Sequence, residues 1–134
     1  MSAKAKVLII DDQEGIRKVL AETCLALGYD VLTAYSGENA LEIAASEIAA
    51  GNDIRVALVD MKMPGFNGIE TLQGLSALDP LIKTYLMTGF GEGSMLAEAI
   101  EHGACGVLQK PFSLEQIKDS LEKAFLPENK YVLK

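Results

Sequence analysis

The chain has 134 residues, 49% of them apolar, and a formal net charge of −7. A chain of that length builds one domain with a real core, and no apolar run approaches the roughly 18 residues of a membrane span. The acidic balance disfavours unspecific binding to the phosphate backbone of nucleic acid and leaves metals, basic surfaces and protein docking open.

The first residues, Met-Ser-Ala-Lys-Ala-Lys, lead into an apolar run with no signal-peptide hydrophobic region, so a cytoplasmic location is expected. That run, Val7-Leu8-Ile9-Ile10, reads as a strand buried on both faces and stops at Asp11-Asp12. Gln13 to Leu27 has helical spacing, with Ile16, Val19, Leu20, Thr23 and Leu27 on one face and Gly28 as the stop. Val31 to Ala34 reads as a second strand. Ser36 caps a helix carrying Ala40, Leu41, Ala44 and Ile48 inward, which Gly51-Asn52 ends.

Ile54 to Val59 is the third strand and stops at Asp60, followed by the loop Met61-Lys-Met-Pro-Gly-Phe-Asn67. A helix from Gly68 to Leu78 presents Ile69, Leu72 and Leu75, and Asp79-Pro80 closes it. Lys83 to Met87 is the fourth strand, stopping at Thr88-Gly89. Glu92 to His102 reads as a helix with Met95, Leu96, Ala99 and Ile100 inward, ended by Gly103. Gly106 to Gln109 is a short fifth strand that stops at Lys110-Pro111, where the X-Pro bond permits a cis peptide. Ser113-Leu-Glu-Gln116 is a capping box opening a last helix with Leu114, Ile117, Leu121 and Phe125 inward. Cys24 and Cys105 fall in core or core-edge segments and fit reduced thiols, because two unclustered cysteines make no disulfide framework.

Five strands alternating with five helices imply βαβ units, right-handed crossovers and a parallel sheet. The expected architecture is α/β, a flavodoxin-like doubly wound (βα)5 sandwich in strand order 2-1-3-4-5. In that order strands 1 and 3 are neighbours, so Asp11, Asp12 and Asp60 meet at the carboxyl edge, with Thr88 and Lys110 arriving from one side. Alone, each has a bland reading: helix-capping acids, a turn carboxylate, a strand hydroxyl and a surface lysine. Together they make three carboxylates that repel unless a cation compensates. Hard oxygen ligands with room for water and a phosphoryl oxygen suit Mg²⁺, and Asp60 is the best nucleophile because a carboxylate forms an aspartyl-phosphate.

The succession Asp11-Asp12, Asp60-Met-Lys-Met-Pro-Gly65, Thr88-Gly89 and Lys110-Pro111-Phe112 resembles the receiver domain of bacterial two-component response regulators. The resemblance covers residues 5–126 and leaves 127–134 as a short C-terminal tail. It implies that Asp60 accepts a phosphoryl group from a phosphohistidine on a sensor histidine kinase or a histidine phosphotransfer protein. It implies Mg²⁺ ligation by Asp12 and Asp60, by Asp11 through water, and by the backbone carbonyl of Lys62. Thr88 and Lys110 would contact the phosphoryl oxygens, and Gly89 would leave space above them. A downstream protein partner would dock on the face of the fourth helix, fifth strand and fifth helix, with no nucleic acid and no membrane involved. Catalysis would be limited to the chain's own phosphorylation and slow autodephosphorylation. Receivers often carry an aromatic switch residue three positions before the lysine; here Val107 stands there, which redirects attention to the glycine-rich loop after the fourth strand, with Phe90 the side chain expected to repack.

The competing enzyme class is a haloacid-dehalogenase-like phosphatase, which also uses an Asp nucleophile, Mg²⁺ and a lysine. It requires a second acid two residues after the nucleophile, where this chain has Lys62. Residues 89–93 carry three glycines but lack G-x-G-x-x-G spacing and do not follow the first strand, so a dinucleotide loop is disfavoured. Asp11-Asp12 would repel the phosphate of a flavin mononucleotide.

Overall fold

The computed structural model describes residues 5–89 and 96–125. Ten elements alternate along the chain: β1 (Lys6–Ile10), α1 (Glu14–Ala26), β2 (Asp30–Ala34), α2 (Gly37–Ala49), β3 (Ile54–Asp60), α3 (Gly68–Leu78), β4 (Lys83–Thr88), α4 (Leu96–Glu101), β5 (Gly106–Gln109) and α5 (Leu114–Ala124). The strands form one sheet in the order β2-β1-β3-β4-β5, and every pairing is parallel. This is the expected doubly wound arrangement, and it places the carboxyl ends of β1 and β3 side by side.

Strand periodicity explains why the central runs are apolar throughout. Leu8, Ile10, Ala57, Val59 and Leu86 face one layer, where they pack with Ala40 and Ala44 of α2, Leu72 and Leu75 of α3 and Ala99 of α4. Val7, Ile9, Val56, Leu58 and Met87 face the other, packing with Leu20 and Cys24 of α1 and Ile117, Leu121 and Ala124 of α5. Each central strand is therefore covered on both sides, and alternation with polar residues would bury unpaired groups.

Local signals set the helix ends. The Ser36 hydroxyl accepts the Asn39 N–H at 3.0 Å, and Ser113 with Gln116 forms the expected capping box. Asn67 and Glu70 form a second box at the start of α3 that the sequence reading passed over, although N-x-x-E carries the same signal. Ser36→Ala is expected to cost about 1 kcal/mol through the lost cap, measured as a lower urea midpoint with unchanged slope.

Three inward assignments are corrected. Val19 and Leu114 are each 60% exposed and Ile100 is 48% exposed. In α1 the sheet-facing line runs through Leu20 and Cys24, four residues apart, which turns Val19 to the flank. Leu114 is the first residue of α5, ahead of the turn that reaches the sheet, and Ile100 follows the buried Ala99 by one helical step. Cys24 is buried, Cys105 is exposed, and both are free thiols. Expectations resting on Phe90, Gly91, Glu92, Gly93, Met95 and the tail lie outside the described residues. Among the described residues, no helix is long and apolar enough to cross a membrane.

Candidate functional site

Asp11 follows β1 and is fully buried. Its N–H donates to the Ala34 carbonyl at 3.2 Å, its carbonyl accepts Arg17 Nη1 at 2.8 Å, and its Oδ1 accepts the Gln13 N–H at 2.9 Å. The acid is thus held by β2 on one side and by α1 on the other. Asp12 is exposed and Asp60, the last residue of β3, is 6% exposed. One carboxylate oxygen from each of Asp11, Asp12 and Asp60 lies within 4.8 Å of the others.

Lys110 reaches across from the end of β5. Its Nζ lies 3.3 Å from Asp60 Oδ1 and 3.5 Å from Asp11 Oδ2, bridging the two buried acids. The Lys110 N–H donates to the Thr88 carbonyl at 2.7 Å, and the Lys110–Pro111 peptide is cis. Thr88 ends β4 one residue beyond Met87, the register partner of Asp60, and is 4% exposed. The sheet order therefore brings Asp11, Asp12, Asp60, Thr88 and Lys110 to one edge, with Gly89 next along the chain. Val107 packs half-buried against the cluster around Leu8 and Leu86.

Burial raises the Asp60 carboxyl from its ordinary 3.8 to about 6, and the charge of Asp11 pushes it the same way. The Lys110 ammonium and the Lys62 N–H oppose the rise without cancelling it. An acid whose charge is under-compensated with a lysine already in contact calls for more positive charge. The donors are all carboxylate oxygens lying within 4.8 Å of one another, the hard-oxygen set that Mg²⁺ takes. The residues fit a hard divalent cation.

Two features escaped the sequence reading. Arg17 lies six residues after Asp11 and donates its Nη1 to the Asp11 backbone carbonyl, a contact with no local motif. Gly68, the first residue of α3, donates its N–H to the Met61 carbonyl at 3.0 Å, and a Cβ on it would stand 2.8 Å from Met61 Cα and 2.9 Å from the Asp60 carbonyl oxygen. Only glycine lets α3 approach the main chain of Asp60 so closely. Beside the acids, a largely apolar groove of about 860 Å³ runs between α1 and the segment after β5, lined by Ile16, Val19, Leu20, Pro111, Phe112 and Lys110.

Residues 7–122 match the family model of the response regulator receiver domain. Sporulation initiation phosphotransferase F of Bacillus subtilis (strain 168) is 39% identical over 122 residues, covering 91% of this chain and 94% of the relative. The C4-dicarboxylate transport transcriptional regulatory protein DctD of Rhizobium meliloti (strain 1021) is 32% identical over 124 residues, which cover 92% of this chain and 26% of that longer protein. Among solved structures, a response regulator receiver domain protein from Clostridium thermocellum superposes with a TM-score of 0.83 at 29% identity, over 97% of this chain and 99% of that one.

Proposed function

The chain belongs to the response regulator receiver domain family, and from that membership and the geometry of its acids we propose that it accepts a phosphoryl group from a phosphohistidine onto Asp60. The observation that carries this reading is Lys110 bridging Asp60 and Asp11 beside a third carboxylate, at the edge where α/β sheets bind ligands. The relative matched over 94% of its length is named a phosphotransferase, which supports a relay role.

Asp11, Asp12 and Asp60, with the backbone carbonyl of Lys62, would hold Mg²⁺, and the bound ion would supply charge neutralisation for the acids and for the incoming phosphoryl oxygens. An Asp60 carboxylate oxygen attacks phosphorus, forming the P–O bond as the P–N bond to the donor histidine breaks. The electron pair of that bond stays on the imidazole. Lys110 leaves its contact with Asp60 to pair with a phosphoryl oxygen, Thr88 donates its hydroxyl to another, and Gly89 leaves room above them. Residues 5–126 form the receiver unit. The downstream partner is a protein docking on α4, β5 and α5, and neither nucleic acid nor a membrane takes part.

The donor protein seats on the apolar groove of α1, because that groove opens at Lys110 and its rim residue Val19 is exposed. Incubation with a phosphorylated histidine phosphotransfer domain and Mg²⁺ tests the reading: label is expected to move to this chain, and retention on histidine would count against it. Val19→Glu is expected to slow that transfer about tenfold by placing a charge in the interface, while leaving labelling by acetyl phosphate unchanged. Equal slowing with both donors would remove the groove from the account.

A further inference from the structure

Helices α2 and α3 pack through two glycines set in opposite senses. A Cβ on Gly37, the first residue of α2, would overlap Thr71 Oγ1 and stand 2.7 Å from Phe66 Cβ. A Cβ on Gly74 of α3 would stand 2.7 Å from Leu41 Cδ1. Gly37 and Leu41 are four apart on α2, and Thr71 and Gly74 are three apart on α3, so each pair shares a helix face. Thr71 thus sits over Gly37, and Leu41 sits over Gly74. Gly37 is not among the positive-φ glycines, so close approach, not backbone conformation, demands it.

The Gly37 end of this interlock leads to the acids. Thr71 is fully buried, and its hydroxyl donates to the Asn67 carbonyl at 2.9 Å. Asn67 caps α3, and Phe66 before it belongs to the loop from Asp60. Gly68 then presses on the main chain of Asp60 and Met61 without room for one methyl group. A push there meets Phe66 Cβ, bonded directly to the main chain, and a Thr71 hydroxyl held by the Asn67 carbonyl, which yield less than the free end of a side chain.

We propose that Gly37 is a positioning residue for the metal and phosphoryl site, setting from α2 where the loop after Asp60 lies. The proposal rests on the reading of Asp60 as phosphoacceptor. Gly37→Ala is expected to shift amide resonances from residue 66 through Met61 to Asp60 in the metal-free protein, and to raise the apparent Kd for Mg²⁺ about tenfold. Gly74→Ala meets the flexible end of Leu41 and is expected to change both less. Thr71→Ala in the Gly37→Ala background removes the overlapping hydroxyl but leaves Phe66 Cβ in place, and is expected to recover part of the Mg²⁺ affinity while the Asp60 and Met61 amides move back toward the parent.

Shifts confined to α2 and residues 66–71, or an unchanged Kd, would overturn the proposal. Should Gly37→Ala fail to fold, Thr71→Val keeps the glycine and sets a methyl, bulkier than the hydroxyl, against it. It is expected to act in the same direction, and unmoved Asp60 and Met61 amides would overturn the proposal equally. A parent chain that neither binds Mg²⁺ nor takes up phosphoryl would instead defeat the phosphoacceptor reading, and the metal-free amide map would still decide the positioning role.

Discussion

With acetyl phosphate and Mg²⁺, the protein is expected to gain one phosphoryl group on Asp60, and Asp60→Asn is expected to gain none. The neutral amide cannot form the aspartyl-phosphate, and the nearest acids are poor substitutes. Asp11 is fully buried, with one oxygen accepting the Gln13 N–H and the other facing Lys110. Asp12 is exposed and lies outside the Lys110 bridge between the other two. Intact-mass measurement and borohydride trapping read the outcome, and chelation of Mg²⁺ is expected to suppress the gain in the parent. Equal labelling of parent and Asp60→Asn would move the phosphoacceptor elsewhere.

In metal-free buffer the same substitution is expected to stabilise the fold above pH 6, by on the order of 1–3 kcal/mol. The Asp60 carboxyl titrates at about 6 in the folded chain against an ordinary 3.8, so between those values the folded state binds more protons than the unfolded one. Stability contributed at this site is therefore highest below the ordinary value, falls as pH rises through about 6, and stays low beyond it. Asparagine carries no such penalty. Urea titrations at pH 4 and pH 8 are expected to show a gain for Asp60→Asn at pH 8 that nearly vanishes at pH 4. Added Mg²⁺ is expected to reverse the order at pH 8 by stabilising the parent. A substitution that destabilises the metal-free chain at pH 8 would mean that the Lys110 ion pair outweighs burial and Asp11.

The clash at this edge and its proposed use belong together. Burial of Asp60 and repulsion from Asp11 lower the stability of the metal-free chain, and the same negative charge favours a cation, which would in turn offset the charge of an added phosphoryl group. Lys110, in contact with both acids, is placed to exchange one carboxylate for a phosphoryl oxygen. Such an exchange is a local charge change of the kind that biases a movable segment. Because Val107 is a short, stiff side chain packed half-buried against the core cluster, the response is expected to leave through Thr88 and Gly89 toward α4. There the Gln73 amide and His102 imidazole, 3.1 Å apart, join α3 to the end of α4.

What the chain determined by itself was its alternation: apolar runs of strand length, amphipathic segments of helical length, and polar residues at each carboxyl end. Period and punctuation depend on neighbours along the chain, so the elements were legible from residues alone, whereas the order 2-1-3-4-5, and with it the convergence of Asp11, Asp12, Asp60, Thr88 and Lys110, was expected partly from the family resemblance. The capping boxes at Asn67 and Ser113 were equally local, even where one went unread. Helix faces were less legible: Val19, Ile100 and Leu114 continue an apolar stripe in sequence, but the roll of each short helix on the sheet turned them outward. Only the tertiary structure decided which contacts support the site. Arg17 on the Asp11 carbonyl, Gly68 against Asp60 and Gly37 beneath Thr71 are matters of distance between separate elements. No spacing encodes them, because close approach and desolvation arise only when the layers are packed.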